Sequence, residues 1–380
     1  MSGPFDMAAC GTCGEPAFAG EAYCEACGAA LPDATRQAAG QASPYPTETA
    51  GSAADPWSTA TTLTRPGTAS ALRGDLPGGS GNGGGHGHGP SNGPGRGNGH
   101  EVVVAGHPQA DAGQRHELVD GPLAAITDRG SSHWRNEDAV AVRWIGGPGQ
   151  GFVMVACDGV SVSQEPQLVS KAAVDTAVLV LGGAVAAGAD LGQAMAEAAA
   201  AAQRAASAVP HDPTLDVGPG ACTFVAVAVR DGQAAFASVG DSRAYWLDAN
   251  GAAQIGSDHS LAAELVATGR FSHRQAMASP GSHAITKWLG SDSIDAQPTL
   301  THFQLPGPGL VLLATDGLWN YAPDPADIAL LVGPVGSEST LSLARRLASF
   351  AEASGGADNI TVAIGPVGLA LDHQLGQEAR

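Results

Sequence analysis

A chain of 380 residues with only 5% aromatics, 53 Gly and a formal net charge of -19 is long enough for one large domain or two ordinary ones, yet part of it is too poor in core formers to fold. The acidity repels phosphate backbones, which excludes a general nucleic-acid binder, and it suits a protein that gathers carboxylates around divalent cations. Met1–Ala9 lacks the basic start and apolar run of a signal peptide, so a cytoplasmic protein is expected.

The chain divides by composition. Residues 1–32 carry Cys10-x-x-Cys13 and Cys24-x-x-Cys27. Each pair reads as a tight knuckle, with Gly14 and Gly28 directly after it, and two knuckles complete a closed Cys₄ site. One structural Zn²⁺ is expected there, because about 25 residues bury too little to fold without a metal. Four unrelated thiols, or a redox pair, are the weaker readings; neither motif follows a strand in a strand–helix unit. Residues 33–115 are Ala, Pro, Gly and Ser rich, and 78–99 hold 12 Gly in 22 residues. A disordered linker is expected, with His86, His88, His100 and His107 as solvated polar residues rather than ligands.

From residue 116 to 370 short apolar runs predict strands at Leu123–Thr127, Ala139–Trp144, Phe152–Cys157, Cys222–Val229, Ala234–Val239, Ala244–Leu247, Leu310–Thr315 and Ile360–Ile364. Asp231-Gly232 predicts a hairpin turn between two of them. Helices are predicted over Gln164–Leu181, Leu191–Ala208, Leu261–Thr268 and Ser337–Ala353, the third capped by Ser260 or Asp258. The apolar stretch Ala172–Ala187 carries Asp175 and reads as a buried helix rather than a membrane span. This order predicts an α+β fold: two antiparallel sheets packed as a sandwich flanked by helices in α-β-β-α layers, with a tail at 371–380.

Five segments place a carboxylate at or beside a strand end: Asn136-Glu137-Asp138, Asp158-Gly159, Gly240-Asp241-Ser242-Arg243, Asp316-Gly317 and Asp358-Asn359. One Asp after a strand is usually a turn former. Five point to a shared acidic cleft, stable only with cations inside it, and all-oxygen ligands suit Mg²⁺ or Mn²⁺ rather than Zn²⁺. Cys157 and Cys222 lie in apolar runs and read as core. No Cys-x₅-Arg loop and no Gly-rich–Lys phosphate loop is present.

In this order the five segments resemble the signature motifs of the metal-dependent protein serine/threonine phosphatases, the phosphatase 2C-like family, of bacterial type. The resemblance implies two divalent ions, Mn²⁺ or Mg²⁺, with a third held more weakly. Asp158 would bridge both ions, Glu137 and the Gly159 carbonyl would bind the second, and Asp316 and Asp358 the first. Asp241 with Asp316 would hold the third. Asp138 and Asn359 would support the ligands, and Asn136 would brace its loop. A water bridging the ions would attack phosphorus on phosphoserine or phosphothreonine of a protein, opposing a serine/threonine kinase.

Where the family carries an Arg that forks onto the phosphate, this chain has His133. Arg135, on the same face if the segment is a strand, could share that task, or it could pair with a neighbouring carboxylate. His259 reads as structural and Lys287 as a stabiliser of an acidic neighbour. A phosphatase-fold scaffold that binds phosphoproteins without turnover is the alternative, and a hydrolase of another phosphate ester stands behind it.

Overall fold

The structure, a computed structural model, describes residues 115–146, 151–277, 279 and 281–369, together with three short strands, β1 (Met7–Ala9), β2 (Pro16–Phe18) and β3 (Val103–Ala105). β1 and β2 pair antiparallel and bracket residues 10–15. The four paired cysteines, the linker histidines and the 371–380 tail lie outside the described residues, as does 33–115 apart from β3 and Arg115.

Chain order continues with β4 (His116–Asp120), β5 (Leu123–Asp128), β6 (Ala139–Ile145) and β7 (Gly151–Cys157), then helices α1 (Pro166–Ala186) and α2 (Leu191–Ser207). Next come β8 (Ala221–Cys222), β9 (Phe224–Arg230), β10 (Gln233–Val239), β11 (Arg243–Asp248), β12 (Gly251–Ile255), α3 (Leu261–Ala267), α4 (His273–Met277), β13 (Leu289–Gly290), β14 (Thr299–Gln304) and β15 (Gly309–Ala314). The last elements are α5 (Asp316–Trp319), α6 (Pro325–Val332), α7 (Thr340–Ala353) and β16 (Ile360–Val367).

Two six-stranded sheets form, ordered β14-β10-β9-β7-β6-β3 and β12-β11-β15-β16-β5-β4, with antiparallel neighbours throughout. The period-2 geometry of a strand explains the layers. On β7, Phe152, Met154 and Ala156 enter the core between the sheets, while Val153, Val155 and Cys157 face α1 and α2. On β15, Val311 and Leu313 point inward and Leu310, Leu312 and Ala314 pack under the last helices. The α-β-β-α order expected from the sequence is therefore the observed one, and each central strand is buried on both faces.

α1 is long and apolar enough to cross a membrane by length and composition. It buries Val169, Ala173, Val174, Ala177, Val178 and Leu181, a helical spacing, against α2 and the first sheet. It begins at Pro166, two residues later than expected, because Pro sets the first helical turn without needing a donor. Asp190 caps α2 by accepting from the Gln193 amide at 2.8 Å, and Ser260, not Asp258, caps α3 through the Ala263 amide at 3.3 Å.

Asp231 and Gly232 have φ of 52° and 76°, the paired positive values of a tight hairpin turn, and join β9 to β10. The predicted strand over Cys222–Val229 is broken at Thr223, whose side chain serves the site described next. β3 lies inside the stretch expected to be linker and pairs with β6, so the first sheet takes up chain upstream of residue 116. β4, β12, β14 and the short helices α4 to α6 were not anticipated; β12 and β14 are half-buried along most of their length and mix Ala, Gln, Thr and His, which carries little alternation.

Candidate active site

The five carboxylate-bearing segments meet at one end of the sandwich, and two contacts show why their glycines are needed. A Cβ on Gly159 would lie 2.7 Å from the Glu137 carbonyl oxygen, and one on Gly317 would lie 2.0 Å from that of Asn359. Both distances are below any real Cβ contact. The glycine after each Asp therefore lets one acidic loop touch the next.

Asparagines brace the same junction. Asn359 Oδ1 accepts from the Glu137 amide at 2.7 Å, while its Nδ2 donates to the carbonyls of Arg129 and Arg135. Asn136 Nδ2 donates to Thr127 Oγ1 at 2.8 Å, and its Oδ1 accepts from the Asp138 amide.

Hydroxyls that sequence reasoning did not single out complete the frame. Thr223 Oγ1 accepts from the Asp158 amide at 2.9 Å and lies 2.7 Å from Ser242 Oγ, so the Asp158 loop is tied to the one bearing Asp241. Thr315 Oγ1 donates to Asp138 Oδ2 at 3.0 Å and accepts from the Thr361 amide. Ser161 Oγ donates to Glu137 Oε2 at 2.5 Å. A Thr or Ser at a strand end looks like any other in a sequence, and no signal there would have marked these.

The electrostatics show what the geometry brings together. Asp158 is pushed well above the usual carboxylate range by burial first, then by the charges of Asp138, Asp316, Asp358 and Asp241. Asp138 is raised by burial and by Asp358, and Asp358 by burial and by Glu137 against the pull of His133. Asp241 is pushed up to about 7 by burial and by Asp258, with Arg243 opposing. Five carboxylates from distant parts of the chain thus feel one another in a poorly solvated place.

His133 and Arg135 lie in a loop, not on a strand, so the shared strand face expected for them does not form. His133 Nε2 sits 3.1 Å from Asp358 Oδ1, and Arg135 Nε donates to Glu137 Oε1 at 2.7 Å. Arg135 therefore takes the carboxylate-pairing role that stood as the alternative.

The residues fit divalent cations. All donors are oxygens, the charge is in excess, and Asp138 Oδ1 is buried without a hydrogen-bond partner. Among the described residues no three His, Cys, Asp or Glu side chains already close around a common metal-sized point. The convergence is one of charge.

Away from the acids, His259 accepts the Gly240 amide on Nδ1 at 3.2 Å and lies 2.9 Å from Thr299 Oγ1 through Nε2, a neutral bracing role. Burial, then Lys287, lowers its pKa, which favours that form. Lys287 itself pairs with Asp295 at 2.8 Å. Arg243 grips Asp258 with Nε and a terminal nitrogen, the latter at 2.7 Å, and its guanidinium lies 3.7 Å over the Trp319 ring. Cys157 and Cys222 are free and buried, and burial raises the Cys157 thiol well above its ordinary value, which suits core and not a nucleophile.

Comparison with known proteins fits this geometry. Residues 129–350 match the family model described as protein phosphatase 2C. The chain is 33% identical over 170 residues to "Serine/threonine phosphatase stp" of Listeria welshimeri, covering 44% of this chain and 62% of that protein. It is 35% identical over 144 residues to "Protein phosphatase PhpP" of Streptococcus pneumoniae, covering 37% of this chain and 56% of that one. These matches span about six tenths of the relatives' length. Among solved structures, the Mycobacterium tuberculosis serine/threonine phosphatase PstP/Ppp superposes with a TM-score of 0.53 at 26% identity, covering 64% of this chain and 96% of that one. The S. agalactiae serine/threonine phosphatase shares the fold with a TM-score of 0.51 at 24% identity, over 64% of this chain and 97% of that one. With the family model matched over more than half of the chain, across four of the five acid-bearing segments and ending just before Asp358, the chain belongs to the protein phosphatase 2C family.

Proposed function

We propose that the chain is a metal-dependent protein phosphatase that hydrolyses phosphoserine and phosphothreonine on proteins, opposing a serine/threonine kinase in the cytoplasm of a bacterium. The observation that carries this is the convergence of Asp158 with Asp138, Asp241, Asp316 and Asp358 in one buried cluster, whose mutual repulsion divalent cations would relieve at neutral pH. Glu137, Asp158, Asp316, Asp358 and the Gly159 carbonyl would hold two Mn²⁺ or Mg²⁺ ions, with Asp241 and Asp316 available to a third. When bound, such ions supply Lewis acidity, acidifying water and offsetting the charge of the phosphoryl group.

The chain's own residues do the rest. Thr223 and Asn359 hold the Asp158 and Glu137 backbones by hydrogen bonds to their amides, and Thr315 fixes Asp138. Arg135 can address a phosphate, because its bond to Glu137 uses Nε, one of five N–H donors on the guanidinium. His133, beside Asp358, gives the site a second positive group at the same edge when protonated.

The full chain with Mn²⁺ is expected to hydrolyse a phosphothreonine peptide and to stop with EDTA. Asp158→Asn is expected to abolish turnover with an unchanged circular-dichroism spectrum. Binding without turnover in the parent chain would instead establish the phosphoprotein-binding scaffold.

Residues 1–32 we infer to hold one structural Zn²⁺ through Cys10, Cys13, Cys24 and Cys27. The two Cys-x-x-Cys pairs with structural-zinc spacing support this. Metal analysis should return one zinc per chain, lost in Cys10→Ser; a zinc-free chain after metal-replete purification contradicts it.

A further inference from the structure

The rim of the carboxylate site carries apolar side chains left in solvent. Trp134 is 71% exposed, with the Arg135 guanidinium 4.6 Å from its ring centre. Arg135 is bonded to Glu137, Glu137 accepts from Ser161, and the next residue, Val162, is exposed. Gln164 fastens this turn to the 212–218 loop. Its Nε2 donates to the carbonyls of Asp212 and Val217 at 3.0 and 2.7 Å, its Oε1 accepts from the Asp212 amide at 2.8 Å, and its own amide donates to the Gly218 carbonyl at 3.0 Å. Leu215 and Val217 on that loop are exposed as well.

Single exposed apolar residues call for no explanation. Here four of them, Trp134, Val162, Leu215 and Val217, are strung along one hydrogen-bonded frame that passes through Glu137. The frame holds its shape without a ligand's help, and it is continuous with the catalytic acids. Past Arg135, whose guanidinium is engaged by Glu137 and Trp134, the fixed charge along it is negative, with His211 the one basic side chain. Glu165, Asp212 and Asp216 are exposed beside the apolar groups, and neither 159–170 nor 209–223 contains a Lys or Arg.

We propose that this line is the track for the substrate's polypeptide, selecting phosphothreonine segments that combine an apolar residue next to the phosphoresidue with a Lys or Arg reaching the 212–216 loop. The inference rests on the phosphatase reading and names the substrate class of that site. An apolar side chain gains burial against Trp134 or Val162, and a cation gains the field of three carboxylates without having to displace a protein cation. A second copy of the chain is disfavoured as the occupant, because it would set like-charged loops against each other.

The test uses the full chain carrying Asp158→Asn, with Mn²⁺, and fluorescence polarisation of two labelled phosphothreonine peptides, one flanked by Leu and Arg, the other by Ser and Glu. The Leu/Arg peptide is expected to bind about tenfold more tightly, a difference in Kd well above experimental scatter. Adding Trp134→Ser, or Leu215→Ser with Val217→Ser, is expected to shrink that preference to about threefold or less. Equal or undetectable binding of the two peptides, or a preference that survives in both variants, overturns the proposal. Turnover of p-nitrophenyl phosphate by the chain with Asp158 intact reports separately on the phosphatase reading, since that ester is too small to touch the track. Its absence would sink the enzyme while the binding preference still decided the track.

Discussion

Arg135 lies two residues before Glu137 and donates to it through Nε, with Trp134 under its guanidinium. The sequence left its partner open between phosphate and carboxylate, because an Arg in a loop rich in both signs has no periodicity to aim it. Folding decides the matter: Asn359 holds the Glu137 backbone, and the carboxylate turns toward the nearest cation. A charge-assisted hydrogen bond contributes about 1.5–3 kcal/mol, so Arg135→Met is expected to lower kcat/KM on a phosphothreonine peptide by roughly tenfold to a hundredfold. Unchanged peptide kinetics would confine Arg135 to bracing Glu137. At the same scale, Asp158, Asp316 and Asp358 were legible because each ends or adjoins an apolar run and is followed by Gly or Asn. Thr223 and Thr315 were not, because a hydroxyl at a strand end has many uses and only the neighbouring amide shows which one applies.

Elements are joined at this site by close approach and by one buried ion pair. The start of α5 touches the start of β16 so tightly that a methyl group on Gly317 would strike the Asn359 carbonyl. Overpacking of this kind typically costs about 1–3 kcal/mol, and here it must separate Asp316 from Asp358. Gly317→Ala is therefore expected to lose both thermal stability and phosphatase turnover; a variant of parental Tm and rate would show that the loops can slide apart freely. Arg243 on β11 pairs with Asp258 ahead of α3 and stacks on Trp319 of α5, with side-chain exposures of 3% and 12% for the ion pair. Removing one partner of a buried pair strands the other, at about 3–5 kcal/mol. Arg243→Met should lower the melting temperature by roughly 10 °C in calorimetry, given the usual dependence of Tm on stability for a domain of this size. A shift of a degree or two would mean that Asp258 finds water instead.

For the whole molecule the acidic cluster makes stability depend on pH in a direction opposite to ordinary acid denaturation. Unfolded aspartates ionise near pH 4. Folded Asp241 does so at about 7, and Asp138, Asp158 and Asp358 are raised as well. Between those limits the folded chain holds more protons than the unfolded one, so stability falls as pH rises. His259, with its pKa lowered, works in the other sense, but it is one group against four. In EDTA, Tm is expected to decline from pH 5 to pH 8, and Mn²⁺ should restore most at the upper end, where protons no longer compete for the carboxylates. A Tm that climbs over that range in EDTA would contradict the clustering of charge.

The sequence by itself determined the layers, and it marked the acid-bearing strand ends as candidates. Alternation along strands such as Phe152–Cys157 and helical spacing along Val169–Leu181 are local signals, written in neighbouring residues that the backbone geometry reads directly. Only the tertiary structure decided which acids feel one another, that Thr223 interrupts a strand to hold Asp158, and that Arg135 and Ser161 meet on the Glu137 carboxylate. Those are contacts between residues tens or hundreds of positions apart. Their energies depend on distance and burial through the folded shape, which no window of sequence contains.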